Sequence, residues 1–223
     1  MRPITILLAE DHTMVREGLR RLLERDTQFQ IVGEAHNGRQ AVEMVQTLRP
    51  ALVLLDIAMP LMNGLEAARQ IRLTVPECRI LILSAHSDDA YVEQAIACGV
   101  AGFLPKQSSA NNLTKAILEI DKGHTYFSPA ITRRFLDHAF SAKNGSLKKK
   151  LAPLTSRENE VLQLVAEGHS NKGMAAHLGI CIKTIEKHRE HLMHKLDIHD
   201  TAGLTRHAIS AGIIENSVQL TIV

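Results

Sequence analysis

The chain has 223 residues, of which 45% are hydrophobic, 22% charged and 3% aromatic. This composition excludes a disordered or collagen-like chain and provides enough apolar material for one large or two ordinary domains. No apolar run approaches the roughly 18 residues that a bilayer requires, and there is no signal-peptide pattern, so we expect a cytoplasmic protein with no membrane contact. The three cysteines are too few and too scattered for a disulfide framework or a zinc site.

Charge is distributed unevenly along the chain. Residues 1–125 contain 13 Lys and Arg against 15 Asp and Glu, whereas residues 126–223 contain 13 against 9. An acidic first part suits a cation site, and a basic second part suits a polyanion such as nucleic acid.

Strand-like and helix-like segments alternate five times in the first 122 residues. The apolar runs predict strands at 4–8, 30–35, 51–56, 79–84 and 101–105. Helical spacing of apolar residues predicts a helix after each, the last four at 38–48, 64–73, 88–98 and 109–122. Because strands that alternate with helices need crossover connections, we predict a parallel sheet covered on both faces. Residues 1–124 are therefore predicted to form a flavodoxin-like, doubly wound (βα)5 domain.

The alternation ends after Gly123, and a different architecture follows. Residues 125–150 are predicted to be a linker, because they include the polar, basic stretch 141–150. Residues 151–223 are predicted to form a small all-α domain. Its helices are expected to begin at about 156 and to cover 171–178, 182–196 and 201–211, with helix-turn-helix spacing in the middle pair.

Polar residues stand at the carboxyl ends of four predicted strands, and Asp56 ends the most apolar of them. The others are Glu10, Asp11, Ser84 and Lys106. Carboxyl ends of parallel strands share one crevice, so these side chains are expected to converge. Three carboxylates repel one another unless they share a dication, and oxygen ligands suit Mg²⁺. Asp56 could then attack a phosphoryl group, while the Ser84 hydroxyl and the Lys106 ammonium stabilise the developing charge.

The ordered set of residues resembles bacterial receiver domains over about residues 3–122. The resemblance rests on Glu10-Asp11, Asp56 with Met59-Pro60 and Gly64, Ser84-Ala85, and Phe103 with Lys106. It implies that Asp56 accepts a phosphoryl group from a histidine kinase. It also implies that Glu10, Asp11, Asp56 and the backbone carbonyl of Ala58 hold Mg²⁺. Ser84 and Phe103 would act as switch residues that respond to phosphorylation.

The second part resembles the LuxR-type helix-turn-helix over about residues 151–215. The matching residues are Leu154-Thr-Ser-Arg-Glu158, Val161-Leu162, Gly168-His-Ser-Asn-Lys172, Ala175, Leu178, Thr184-Ile185, His188-Arg189 and Lys195-Leu196. Taken together, the whole chain is similar to response regulators of the NarL/FixJ type. This resemblance implies a transcription regulator, not an enzyme, that binds double-stranded DNA.

The segment 182–196 is expected to be the recognition helix. Ile185, Leu192 and Leu196 are spaced to face the domain core, which leaves the opposite face for the major groove. By the family pattern, phosphates are held mostly by Asn171, Lys172, Thr184 and Arg189, whereas base edges are approached by Glu186, Lys187 and Glu190; Lys183 lies on the same outer face. The sequence departs from the pattern twice, because the family often has Lys at the position of Glu186 and Glu at the position of Gly173.

Phosphorylation is expected to promote homodimerisation and operator binding. A dimer that binds two half-sites gains affinity over a monomer. The last helix offers Leu204, Ala208 and Ala211 as a candidate dimer face.

Two other functions compete with this interpretation. A haloacid-dehalogenase-like phosphatase also uses a strand-end Asp with Mg²⁺ and Lys, but it needs a second acid two residues later, where this chain has Ala58. An adaptor that dimerises without phosphate is the other alternative, and the intact acidic residues and Lys106 weigh against it.

Overall fold

The computed structural model describes residues 2–85, 89–127 and 154–214, apart from the side chains at 89 and 90. The chain divides into two compact units, residues 1–148 and 149–223, and each is considered by itself. The basic stretch 141–150 and the predicted start of a helix at residue 88 lie outside the described residues.

The first unit alternates strands and helices as the sequence predicts. The strands are β1 (Ile4–Ala9), β2 (Phe29–Ala35), β3 (Leu52–Asp56), β4 (Arg79–Ser84), β5 (Gly102–Pro105) and β6 (Tyr126–Phe127). The helices are α1 (Thr13–Leu23), α2 (Gly38–Leu48), α3 (Gly64–Thr74), α4 (Asp89–Ala97) and α5 (Ala110–Asp121). The flavodoxin-like prediction is confirmed.

The strands form one parallel sheet in the order β2-β1-β3-β4-β5-β6. The first five strands follow the doubly wound order, in which the chain reverses direction across the sheet at β1 and β3. The sixth strand is not predicted by the sequence. It pairs Tyr126 with Gly102 and Phe127 with Phe103, so the predicted linker does not begin at residue 125.

Every residue of β3 is buried, which explains its unbroken apolar sequence. Side chains alternate between the two faces of a strand, and helices cover both faces here. Val53 and Leu55 join the core on one face, while Leu52 and Leu54 join the core on the other. A strand packed on both faces is a rigid support, and it ends at Asp56.

The second unit is built from four helices within the described residues. They are α6 (Ser156–Ala166), α7 (Asn171–Leu178), α8 (Ile182–Leu196) and α9 (Thr201–Ser210). The predicted capping box begins α6: Thr155 Oγ1 accepts from Glu158 N at 3.3 Å, and Thr155 N donates to Glu158 Oε2 at 2.7 Å. Gly179, with φ of 63°, ends α7 and makes the turn into α8. The helix-turn-helix prediction is confirmed.

The proposed dimer face on α9 needs correction. Leu204 and Ala208 have no exposed surface, because α9 packs them against α6 inside their own unit. The stripe that the sequence shows is therefore a core stripe, and it is not available to a second copy of the chain. Ala211 is half-buried and remains a prediction.

Gly173 occupies the third position of α7, in its first turn, rather than the helix interior. Its N–H donates to the hydroxyl of the capping residue Ser170 at 3.2 Å. A Cβ added at Gly173 would meet the Ser170 hydroxyl oxygen at 3.6 Å, which is an ordinary contact. Gly173 occupies the same position in α7 that Glu158 occupies in the capping box of α6. Because glycine has no side chain to reach back to the capping residue, the capping box of α7 is incomplete.

We therefore expect Gly173→Glu to stabilise α7 by about 1 kcal/mol, from reduced backbone freedom of the unfolded chain and a completed capping box. Hydrogen exchange of the α7 amides in the full chain measures the change. Gly173→Ala reduces the backbone freedom of the unfolded chain but cannot complete the capping box, so it should stabilise α7 by less. Faster exchange in both variants would contradict the expectation.

None of the helices in the described ranges is long and apolar enough to cross a membrane.

Candidate functional site

Three carboxylates meet at the carboxyl edge of the sheet of the first unit. Asp56 ends β3, and Glu10 and Asp11 directly follow β1, which lies beside β3. One oxygen of each carboxylate, together with a nitrogen of His12, falls within 4.8 Å of the others. Asp56 and Glu10 are each only 2% exposed. The predicted convergence of the three acids is observed, and His12 is an addition that the sequence analysis does not single out.

Lys106 brings a positive charge into this cluster. Its Nζ lies 2.8 Å from Glu10 Oε2 and 3.0 Å from Asp56 Oδ2. Burial lowers the pKa of the Lys106 ammonium, but the neighbouring carboxylates outweigh it, so the pKa is raised above its usual value. Lys106 therefore remains charged, and its single positive charge is shared between two of the three acids.

Asp56 is held in an environment that opposes its ionisation. Burial is the main reason that its pKa rises to about 7, and the charge of Glu10 adds to the rise, while Lys106 acts in the opposite direction. Glu10 Oε2 and Asp56 Oδ2 are contacted by the Lys106 ammonium, and Asp11 Oδ1 lies 2.7 Å from His12 Nδ1, so each carboxylate turns a buried oxygen into the cluster. Such oxygens are the ligands that Mg²⁺ prefers, so the residues present fit this ion.

The loop after β3 presents the backbone to the same cluster. Ile57 O accepts from Met59 N at 3.1 Å and from Gly64 N at 2.8 Å, which folds the loop into a tight turn. The half-buried Ala58 stands within this turn, and its carbonyl accepts no hydrogen bond from another described residue. Gly64 fits so closely that an added Cβ would collide with the Asp56 carbonyl oxygen.

Ser84 ends β4, the strand next to β3, and Phe103 lies on β5, the strand after that. Ser84 is 2% exposed, and its carbonyl accepts from Lys106 N at 2.7 Å. Phe103 is fully buried on β5, within the core that also contains Val92 of α4. The structure thus places Ser84 at the same sheet edge as the acidic cluster and the Phe103 ring inside the core.

In the second unit, α8 exposes the face that the sequence assigns to DNA. Ile185 and Leu192 are fully buried and Leu196 is 9% exposed, as predicted for the core side. The exposed side chains on the opposite face are Lys183, Glu186, Lys187, Glu190 and His194. Thr184 is half-buried, and Lys172 is exposed at the start of α7.

Arg189 is already occupied within the protein. Its Nη1 donates to Asn171 Oδ1 at 2.6 Å, and its Nη2 donates to Thr201 Oγ1 at 3.4 Å. The side chain thus ties α8 to the first residues of α7 and α9. Lys195 is also engaged, with its Nζ 2.9 Å from Glu158 Oε2. These contacts hold the orientation of the recognition helix.

Comparison with known proteins assigns each of the two units to a family. The chain matches the response regulator receiver domain over residues 6–118 and the luxR family of bacterial regulatory proteins over residues 152–208. It is 32% identical to the transcriptional regulatory protein DegU of Brevibacillus brevis, over 95% of each chain. It is 35% identical to the transcriptional regulatory protein MctR of Rhizobium johnstonii, again over 95% of each. The chain belongs to the NarL/FixJ-type response regulators.

Solved structures agree with this assignment. A LuxR-family response regulator from Aurantimonas is 33% identical, with a TM-score of 0.58 over 62% of this chain and 99% of that one. The response regulator RcsB in complex with DNA is 25% identical, with a TM-score of 0.57 over 93% of this chain and 98% of that one. This response regulator therefore combines a receiver domain with a LuxR-type DNA-binding domain in a two-component system.

Arg16 is a residue of the response regulator's site that the sequence analysis misses. It lies on α1 and is only 6% exposed. Its Nη1 donates to the Glu10 carbonyl at 2.8 Å and to the Asp11 carbonyl at 3.4 Å, and its Nε donates to Glu34 Oε2 at 3.0 Å. The guanidinium thus fixes the backbone that carries two of the three acids. A lone Arg on an amphipathic helix gives no signal in the sequence that distinguishes it from a surface residue.

We expect Arg16→Met to destabilise the receiver by about 2 kcal/mol, because the Glu10 carbonyl and Glu34 both lose a charged donor. It should also weaken Mg²⁺ binding, since Glu10 and Asp11 are no longer held in place. Urea unfolding and calorimetric titration with Mg²⁺ measure the two effects. Arg20→Met is the matched control, because Arg20 contacts Glu34 but not the acidic turn. Equal Mg²⁺ affinities for both variants would show that Arg16 does not position the acidic residues for the ion.

Proposed function

We propose that this response regulator is switched by phosphorylation of Asp56 from a histidine kinase. The observation that carries the proposal is the position of the Asp56 carboxylate, which is buried beside two further acids and 3.0 Å from Lys106 Nζ. A carboxylate with a neighbouring ammonium and a cation site is equipped to receive a phosphoryl group. The bond from phosphorus to the kinase histidine would break as a bond to an Asp56 oxygen forms, and the histidine nitrogen would take up a proton.

Mg²⁺ would be held by the carboxylates of Glu10, Asp11 and Asp56 and by the carbonyl of Ala58. When bound, the ion supplies positive charge that offsets the crowded acids and the incoming phosphoryl oxygens. A haloacid-dehalogenase-like phosphatase needs an acid two residues after the nucleophile, and this chain has Ala58 there. This difference favours a protein that accepts a phosphoryl group over an enzyme that hydrolyses phosphate esters. Lys106 would pair with the new phosphoryl oxygens in place of the carboxylates that it now contacts.

The Ser84 hydroxyl and the Phe103 ring would transmit the change. The phosphoryl group adds strong acceptors that attract the hydroxyl and Lys106. Phe103 would then move into the space that Ser84 leaves and repack the face formed by α4, β5 and α5.

The second unit would bind double-stranded DNA through α8. RcsB has been solved as dimers bound to DNA, and this chain shares its two-domain organisation. We propose that phosphorylation promotes homodimerisation and operator binding in the cytoplasm, where the DNA lies. Lys172, Lys183 and Thr184 would contact phosphates, whereas Asn171 and Arg189 would serve first to position α8, because they bind each other.

The test compares the wild type with Asp56→Asn, each with Mg²⁺ and acetyl phosphate, by intact mass and by solution size. We expect one phosphoryl adduct on the wild type alone, together with a shift from monomer to dimer. An adduct that persists in Asp56→Asn would identify another acceptor. An adduct with no change in size would separate phosphorylation from dimerisation and refute the coupling.

A further inference from the structure

The outer face of α8 carries two exposed glutamates. Glu186 and Glu190 are exposed, and neither side chain has a hydrogen bond or ion pair with another residue in the described ranges. By contrast, Arg189 and Lys195 of the same helix are bound to side chains of their own unit. The two glutamates are four residues apart, and like charges at this spacing mildly destabilise a helix, whereas Lys183 and Lys187, each three residues before one of them, act in the opposite direction. No side-chain contact within the unit therefore accounts for these two carboxylates.

The negative charge of DNA limits which acidic side chains a reading helix can carry without loss of affinity. The phosphates of DNA repel a carboxylate, so a glutamate on a reading face costs affinity unless it accepts a hydrogen bond from a base edge. In the major groove the donors are the amino groups of cytosine and adenine. The adenine amino group is flanked by the N7 acceptor, which repels the second carboxylate oxygen, whereas the cytosine amino group is flanked by a C–H. Cytosine is the base that a glutamate accepts from.

We propose that Glu186 and Glu190 each select a cytosine in the operator half-site. The proposal rests on the proposed DNA binding by α8 and specifies which sequence that helix reads. Four residues of helix rise about 6 Å, and base pairs of B-DNA are stacked about 3.4 Å apart, so the two selected positions lie within about two base pairs of each other. Lys183 and Lys187 on the same face supply the positive charge that keeps the helix in the groove.

The experiment selects binding sites from random-sequence duplex DNA with the full chain after treatment with Mg²⁺ and acetyl phosphate. Wild type, Glu186→Gln and Glu190→Gln are compared, and each amide is nearly the same shape as the carboxylate that it replaces. We expect the wild type to prefer cytosine at two nearby positions by about tenfold or more. Each Gln variant should admit adenine beside cytosine at one position, because an amide can donate to N7 and accept from N6 of adenine, whereas a carboxylate is repelled by N7.

Glu43→Gln is the matched control, because Glu43 is an exposed residue of α2 in the other unit. It should retain the wild-type site. If the wild type selects a site whose base preferences are unchanged in both Gln variants, DNA binding stands and the proposed role of the glutamates is overturned. A response in one variant alone would overturn the role of the other glutamate. If the wild type enriches no sequence at all, the proposed function fails and this inference fails with it.

Discussion

Replacement of Asp56 by Asn is expected to stabilise the metal-free receiver at pH 8 by about 2–4 kcal/mol. Asp56 has a folded pKa of about 7, against about 3.9 for an unfolded Asp. The folded state therefore binds more protons than the unfolded state between about pH 4 and 7, and stability falls as the pH rises through that window. Asn cannot ionise, so the variant avoids the loss. Lys106 keeps Glu10 as a partner at 2.8 Å.

Urea unfolding in EDTA at pH 5 and pH 8 measures this effect. Both tyrosines of the chain, Tyr91 and Tyr126, lie in the first unit, so tyrosine fluorescence reports on the receiver alone. The advantage of Asp56→Asn should be less than half as large at pH 5 as at pH 8. Asp121→Asn, at an exposed position of α5, should behave like the wild type. An advantage that is equal at both pH values would show that relief of buried charge is not its cause.

Replacement of Gly64 by Ala is expected to have the largest effect on stability. It should lower the free energy of unfolding of the receiver by about 3 kcal/mol or more. The added Cβ would overlap the Asp56 carbonyl oxygen and would lie 3.0 Å from the Ile57 Cα. Backbone atoms cannot move aside as flexible side chains do, so the turn that follows β3 must shift. The shift displaces both the Ala58 carbonyl and the Asp56 carboxylate, so phosphorylation by acetyl phosphate should also slow at least tenfold.

Gly18→Ala provides the control for this substitution. Gly18 lies in α1, where an added Cβ would meet nothing within 4 Å. Alanine is the better helix residue, so this change should be neutral or stabilising by up to about 1 kcal/mol. The same urea and phosphorylation measurements apply to both variants. If Gly64→Ala unfolded at the wild-type urea concentration, the close packing of the turn on Asp56 would be refuted.

The sequence predicts the receiver well because its local signals and its topology agree. Four of the first five strands are short, mainly apolar runs, β2 is a mixed one, and each following helix has regular apolar spacing, so the element boundaries fall within a few residues of the structure. The parallel order then places Glu10, Asp56 and Lys106 at one edge without further information. The distances, and the raised pKa of Asp56, require coordinates.

Other features could not be predicted, for identifiable physical reasons. The apolar stripe of Leu204 and Ala208 shows that one side of α9 is buried, but periodicity does not reveal that α6 is what covers it. Arg16 is long enough to reach backbone carbonyls on another segment, and no spacing rule identifies such a contact. The strand β6 has two residues, which is too short to show an alternating pattern.

The small strand β6 also determines where the receiver can be separated from the rest of the chain. It covers one edge of β5, and its approach depends on Gly102, where an added Cβ would lie 2.8 Å from the Tyr126 carbonyl oxygen. A fragment that ends at residue 124 would leave the peptide groups of Gly102 and Phe103 without their strand partner. Open strand edges pair with other chains, so such a fragment would self-associate independently of phosphate. Fragments used to study phosphorylation-dependent dimers should therefore retain Tyr126 and Phe127.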